Sequence, residues 1–232
     1  MSWWTNKWKE REALVRDRFG ESVPANSVIS YSWPKDEVLL PGACCVQFPP
    51  NQVINSWLSM SIGLTQPLDQ NTPGRKWEFC ILTDGLEQWP TELIYQIMLH
   101  FLKSNDPIEN GYWLPVEFHF NLNKDIVANL SNEASALGHM SGIYLWENLD
   151  IPDFLPSTGA FRLMTIIPAT KSEDRLSQET SPAHLILLFR QLNLKLVADP
   201  TRPDILALPG SNELWSRIKN MHLNKVLHEL KR

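Results

Sequence analysis

The sequence predicts an α+β fold, formed as a single domain over residues 1–232. Three observations lead there. Short segments that alternate apolar and polar side chains mark strands, the clearest being "INSWLSMSIGL" and "KWEFCILTD". Segments with apolar residues at helical spacing mark helices, the clearest following Pro90. No repeat, low-complexity tract or break in composition divides the chain.

The elements follow in order. An N-terminal amphipathic helix lies within residues 1–20, with its pattern running from Thr5 to Phe19 and Gly20 as its stop. It brings Trp4, Trp8, Val15 and Phe19 near one face, and Glu12 sits four residues before Arg16. The proline-rich stretch after it reads as loop with short edge strands, because its apolar residues still need burial. In "INSWLSMSIGL", Leu58, Met60 and Ile62 form one apolar face against Trp57, Ser59 and Ser61. "KWEFCILTD" sets Trp77, Phe79 and Ile81 against Glu78, Cys80 and Leu82 and reads as buried on both sides. The turn residues of "TQPLDQNTPGR" join the two as an antiparallel hairpin.

Pro90 suits the first position of the next helix, where Leu93, Ile94, Ile97, Met98, Phe101 and Leu102 share one face. Glu92, Gln96 and Lys103 fall on the other, and Pro107 ends the run. "GYWLPVEFHFN", "SGIYLWEN" and "GAFRLMTIIPA" read as strands, and "SPAHLILLFRQLN" as a helix with Ser181 at its cap and Pro182 first. Residues 211–232 read as one C-terminal helix capped by Ser211, with Glu213 and Arg217 spaced to pair.

Composition excludes several classes. A net charge of −5 with no Lys/Arg cluster speaks against nucleic-acid binding. Three cysteines, two of them adjacent, make a poor disulfide framework and suit reduced thiols in the cytoplasm. The charged N-terminus lacks the apolar core of a signal peptide, and no apolar run approaches a membrane span.

Few residue patterns in the chain carry catalytic chemistry. The six histidines match no zinc spacing, no GxSxG elbow is present, and no glycine-rich phosphate loop occurs. Neither a metal nor a cofactor is expected. Glu117 and His119 lie two apart on one strand face, and Asp84 and Glu87 sit in the turn "TDGLEQWP". These four are the residues a hydrolase would use, an alternative that the patterns support weakly, since paired carboxylates need burial and opposed placement. Glu173 and Asp174, in "PATKSEDRL", sit at another strand end and read as helix-capping or turn residues. Loops at strand ends are where binding residues tend to sit, so the candidate partner-binding residues are Asp84, Glu87, Trp89, Glu173 and Asp174, with Trp4 and Trp8 from the aromatic helix face. A self-associating structural or regulatory protein is a second alternative, resting on that aromatic helix.

Taken in order, "SMSIGLTQPL", "RKWEFCILTD", "EQWPTELIYQIMLHFLKSNDPIENGYWLP" and "TGAFRLMTIIPATKSEDRL" resemble the suppressor of fused (SUFU) domain family over residues 54–191, in the manner of a compact bacterial-type member. The resemblance implies a mixed, largely antiparallel sheet flanked by helices in one SUFU-like domain. It also implies a non-catalytic protein-binding module, of which many bacterial members are thought to be immunity proteins that bind and neutralise a cognate toxin of a polymorphic toxin system. The animal member restrains transcription factors of the Hedgehog pathway and carries a further C-terminal domain. The present sequence, closing on "VLHELKR", offers no counterpart to that domain, so the Hedgehog role is not carried over.

Overall fold

The computed structural model describes residues 3–23, 44–65, 76–87, 89–104, 106–115, 140–157, 159–194, 196–199 and 202–231. Its elements run α1 (Trp3–Phe19), β1 (Cys44–Phe48), β2 (Trp57–Ile62), β3 (Trp77–Thr83), α2 (Trp89–Ser104), β4 (Trp113–Pro115), β5 (Met140–Glu147), β6 (Arg162–Thr170), α3 (Lys171–Glu179), α4 (Pro182–Gln191), α5 (Ser211–Ile218) and α6 (Leu223–Leu230). The six strands are ordered β1-β2-β3-β6-β5-β4. The sheet is mixed, because β3 pairs with β6 in parallel whereas β1–β2, β2–β3 and β4–β5 are antiparallel. The chain divides into two compact units, Met1–Ile108 with Glu147–Ile166, and Glu109–Trp146 with Ile167–Arg232.

In the first unit the expected hairpin forms, with Trp57 opposite Thr83 and Met60 opposite Cys80. One sheet face carries Leu58, Met60, Ile62 and Cys80, which join Val15 and Phe19 of α1, Phe154, Phe161 and their neighbours in one apolar cluster. The ring of Phe154 stacks on Phe161 at 4.6 Å, and Phe19 lies 5.5 Å from Phe48. The other face packs against α2, with Phe79 stacked on Phe101 at 5.6 Å. Strand β2 is therefore covered on both faces, and Ser59 and Ser61 are fully buried, contrary to the one-sided strand expected from their polarity. Helix α2 begins at Trp89, one residue before the expected start, and its polar Glu92 and Gln96 are buried rather than facing solvent.

In the second unit α4 is central. Ala183 through Phe189 are all buried, and the helix packs against α3, α5 and α6. Tyr144, Trp146, Ile167 and Ala169 of the strands complete that core with Trp215, Ile218, Val226 and Leu230. Of the two readings open for Glu173 and Asp174, helix-capping or turn, Glu173 takes the first, since it forms a reciprocal capping box with Thr170 at the start of the helix Lys171–Glu179. One sequence expectation is corrected here, because the C-terminal stretch is two helices. The His222 side chain accepts from the Asn224 N–H and caps α6 anew, and the cap of α5 is Gly210, leaving Ser211 as the first residue of the helix. Glycine is required at 142, where a Cβ would lie 2.3 Å from Trp113 Nε1 and 3.0 Å from the Leu114 carbonyl oxygen.

Candidate functional site

In the first unit, the turn that follows β3 is built from short-range bonds. Thr83 Oγ1 donates to the Gly85 carbonyl at 2.8 Å. Gln47 Nε2, buried beneath the turn, donates to Ser59 Oγ at 2.8 Å and to the Glu87 carbonyl at 2.6 Å. The Trp89 indole N–H donates to Glu87 Oε2. The result is a braced loop in which Asp84, Leu86 and Glu87 are exposed while Trp89 is buried. Leu86 keeps 46 % of its surface in water between two carboxylates.

Glu78, mid-strand in β3, is a further centre that no motif in the sequence marks. It is 2 % exposed. Its Oε1 accepts from the backbone of Gly63 at 3.0 Å, from the backbone of Thr65 at 2.9 Å and from the Thr65 hydroxyl at 2.7 Å. Its Oε2 accepts from Ser61 Oγ at 2.5 Å and from the backbone of Leu64 at 3.2 Å. Gly63, at φ 107, supplies the backbone conformation this cradle needs. Arg11 of α1 donates to Thr65 Oγ1 from behind. Burial pushes the Glu78 carboxyl upward, opposed by the Ser61 and Thr65 hydrogen bonds and by the Arg11 charge. Burial likewise lowers Arg11, against the pull of Glu78 and Glu10. Every oxygen of this carboxylate is engaged, so the cluster ties α1 and the Gly63–Thr65 turn to β3. The signal in the sequence was a carboxylate within a strand that reads as buried on both sides.

The second unit holds Glu173 and Asp174, both buried. Glu173 accepts a two-pronged bond from Arg202, Nη1 to Oε1 at 2.5 Å and Nη2 to Oε2 at 2.6 Å. It also accepts from the backbone of Thr170 at 2.8 Å and of Ile205 at 3.1 Å. Arg202 lies over the Phe189 ring at 5.0 Å and donates to the Pro168 carbonyl at 3.1 Å. Asp174 accepts from the Trp113 indole at 3.1 Å and from the Ser141 hydroxyl. Burial pushes the nearby Tyr144 phenol up, with Asp174 adding to the shift. These two acids thus bind the fold's own donors. His184 is also spent inside the fold, with Nε2 3.0 Å from the Met221 carbonyl and Nδ1 2.7 Å from Ser181 Oγ.

The sequence-derived candidates therefore separate. Glu87 and Trp89 are brought together, with Asp84 on the same turn. Glu173 and Asp174 belong to the other unit and serve separate partners. Trp4 and Trp8 are part of α1, but the side chains described begin at Lys9. Glu117 and His119 lie outside the described residues. Among the described residues, no group of three or more His, Cys, Asp or Glu is placed to hold a metal ion, and no helix is long and apolar enough to cross a membrane.

No protein-family model matches the chain, and no curated protein matches it in sequence. Solved structures do match in shape. The crystal structure of a SUFU homologue from Neisseria gonorrhoeae FA 1090 aligns with a TM-score of 0.58 at 13 % identity, over 86 % of this chain and 97 % of the other. The crystal structure of the Sufu–Fu complex gives a TM-score of 0.60 at 9 % identity, over 94 % of this chain and 98 % of the matched one. The chain has a SUFU-like fold. Drosophila Suppressor of Fused aligns with a TM-score of 0.52 at 11 % identity, over 75 % of this chain and 45 % of that protein. The mixed six-stranded sheet with flanking helices is the SUFU-like architecture that the sequence resemblance implied.

Proposed function

We propose that this chain is a non-catalytic protein-binding module of the SUFU type, working in the cytoplasm as an immunity protein that binds and neutralises a cognate toxin. The observation that carries it is the braced turn after β3. An exposed leucine between two exposed carboxylates, held by Gln47 and Trp89 from beneath, is a rigid acidic-apolar contact surface of the kind a basic protein partner fits. Likeness to the structure of the Sufu–Fu complex supports the same reading. Asp84, Leu86 and Glu87 make the contact, while Trp89 positions the turn and Glu173 and Asp174 hold the second unit in shape. Trp4 and Trp8 extend the partner surface along α1, and the whole chain acts as one domain.

Co-purification of the tagged chain with proteins encoded beside its gene, under gentle salt, tests this. One stoichiometric basic partner is expected, and the double variant Asp84→Lys, Leu86→Ser is expected to lose it while unfolding at the same urea concentration. A partner held equally well by that variant moves the site elsewhere. No partner in any fraction overturns the binding-module reading.

A further inference from the structure

Two turns leave the same end of the sheet in the first unit. Strands β1, β2 and β3 are successive neighbours. Phe48, the last residue of β1, pairs with Leu58, and Trp57, the first of β2, pairs with Thr83, the last of β3. The β1–β2 connection and the exit of β3 therefore emerge side by side, from strands about 5 Å apart. A direct contact draws them closer. Gln47 of β1 reaches the Glu87 carbonyl at 2.6 Å, so the 84–87 turn leans back across β2 to the place where β1 runs into its own turn.

The 51–54 turn repeats the construction of its neighbour. Asn51 Oδ1 accepts from the N–H groups of Val53 and Ile54 at 2.7 and 3.1 Å, and Asn51 Nδ2 donates to the Phe19 carbonyl at 2.7 Å. Ile54 is buried in the apolar cluster, which leaves Val53 at the tip, 49 % exposed, with exposed Gln52 and Asn55 beside it. Among the described residues of β1, β2, β3 and their turns, Val53 and Leu86 are the large apolar side chains left in water. Each turn is also tied to the end of α1, one through Asn51 and Phe19, the other through Gln47, whose carbonyl accepts from the Val23 N–H at 2.8 Å. Charge at this end is one-sided. Residues 47–59 carry no charged side chain, and residues 81–87 carry Asp84 and Glu87 alone. At the end of α1, Arg16 pairs with Glu21 at 3.4 Å, and Arg18 is turned to the carbonyls of Pro152 and Asp153.

We propose that the 51–55 turn is the second half of the partner surface, so that a basic protein partner seats one apolar contact on Val53 and another on Leu86, with its cations facing Asp84 and Glu87. The proposal rests on the binding-module reading and adds to it a second turn and the chemistry of the partner's face. Two apolar points within a polar rim, on backbone already fixed by Asn51 and Gln47, concentrate binding energy at little ordering cost. The carboxylates select a cationic rim and speed its encounter.

The test uses a synthetic peptide of alternating leucine and lysine, titrated into the isotope-labelled full chain. Amide shifts are expected over 51–55 and 84–87 together, saturating at one concentration, with affinity falling as salt rises. Val53→Ser is expected to bind about fivefold more weakly, as for withdrawing a half-exposed valine from an apolar contact. The brace uses the backbone N–H of residue 53, so this variant keeps the fold, and an unchanged urea midpoint verifies that. Leu155→Ser, at an exposed leucine of another loop, is expected to change nothing. A peptide with glutamate in place of lysine is expected not to bind. Shifts that are absent at millimolar peptide, or that fall outside the two turns, overturn the proposal. So do equal binding of the glutamate peptide and full-strength binding by Val53→Ser. A dimer by light scattering that Val53→Ser dissolves would assign the surface to a second copy and replace the basic partner. If the co-purified partner is lost by Asp84→Lys, Leu86→Ser but held in full by Val53→Ser, the binding-module reading stands and this one falls.

Discussion

Removing Arg202 is the sharpest probe of the second unit. Glu173 has no exposed surface, and Arg202 supplies two of the four hydrogen bonds its oxygens receive, at 2.5 and 2.6 Å. The two backbone donors from Thr170 and Ile205 remain in an Arg202→Met variant, but the counter-charge is gone. Breaking a buried pair from one side costs about 3–5 kcal/mol, because the remaining charge is stranded in low dielectric. The methionine keeps the contact with Phe189, which limits the packing loss. Glu173→Gln leaves Arg202 partly solvated, preserves the capping geometry at Thr170, and is expected to cost about 1–3 kcal/mol. The double variant strands no charge, so it is expected to cost less than the sum of the two by about 1–3 kcal/mol. Urea unfolding followed by tryptophan fluorescence, with amide exchange over α3 and α4 as a local readout, measures all three. A cost below about 1 kcal/mol for Arg202→Met, with coupling below about 0.5 kcal/mol, would refute the view that this pair fastens Arg202 and the segment after it to α3.

Gly142→Ala pushes a methyl group to 2.3 Å from the Trp113 indole nitrogen, with the Leu114 carbonyl blocking retreat. A loss of about 1–3 kcal/mol is expected, with a shifted Trp113 indole N–H resonance as its bond to Asp174 breaks. Arg11→Met withdraws the donor behind Thr65 and the charge facing Glu78, and is expected to cost about 1–3 kcal/mol with faster amide exchange in α1. Burial pushes the Cys80 thiol from 9.0 up to about 12. Above pH 9 the unfolded thiol has lost its proton while the folded one keeps it, so stability falls as pH rises through the window from 9 to 12. The slope from this group approaches about 1.4 kcal/mol per pH unit, and Cys80→Ser is expected to remove it from urea titrations run across alkaline pH.

The hairpin was legible because Trp57 to Thr83 contains two alternating runs separated by strong turn residues, a pattern carried wholly by local chemistry. Helix α2 was legible for the same reason. What local chemistry hides is the burial of polar groups. Ser59, Ser61, Glu92 and Gln96 read as solvent-facing because isolated polar side chains prefer water, yet the sheet is covered on both faces. Ser61 is compensated by bonds to Glu78 and to the Phe79 amide, which no period-two pattern encodes. The capping box at Thr170 and Glu173 was present in the sequence as T-x-x-E, but it preceded a polar helix with few apolar residues, so periodicity gave no support. The break between α5 and α6 depends on a histidine cap, a weaker signal than proline or glycine.

The same contrast bears on function. Acidic residues at strand ends look alike in a sequence, and the structure divides them by what their oxygens already hold. Glu173 and Asp174 are occupied by Arg202, Trp113, Ser141 and backbone donors, so any role they have in recognition is exerted through the shape they maintain. Asp84 presents its carboxylate to water, and Glu87 stays exposed although its Oε2 holds the Trp89 indole, on a loop whose backbone is fixed from below, which lowers the ordering cost that a partner would otherwise meet. Charge reversal at Asp84 is therefore expected to change binding with little effect on stability, whereas reversal at Glu87 also removes the acceptor of the Trp89 indole and loosens the turn. Neutralising Glu173 is expected to do the reverse, lowering stability first and binding only in proportion to the unfolded fraction. A binding loss from Glu173→Gln at full folding would show that recognition reaches into the second unit.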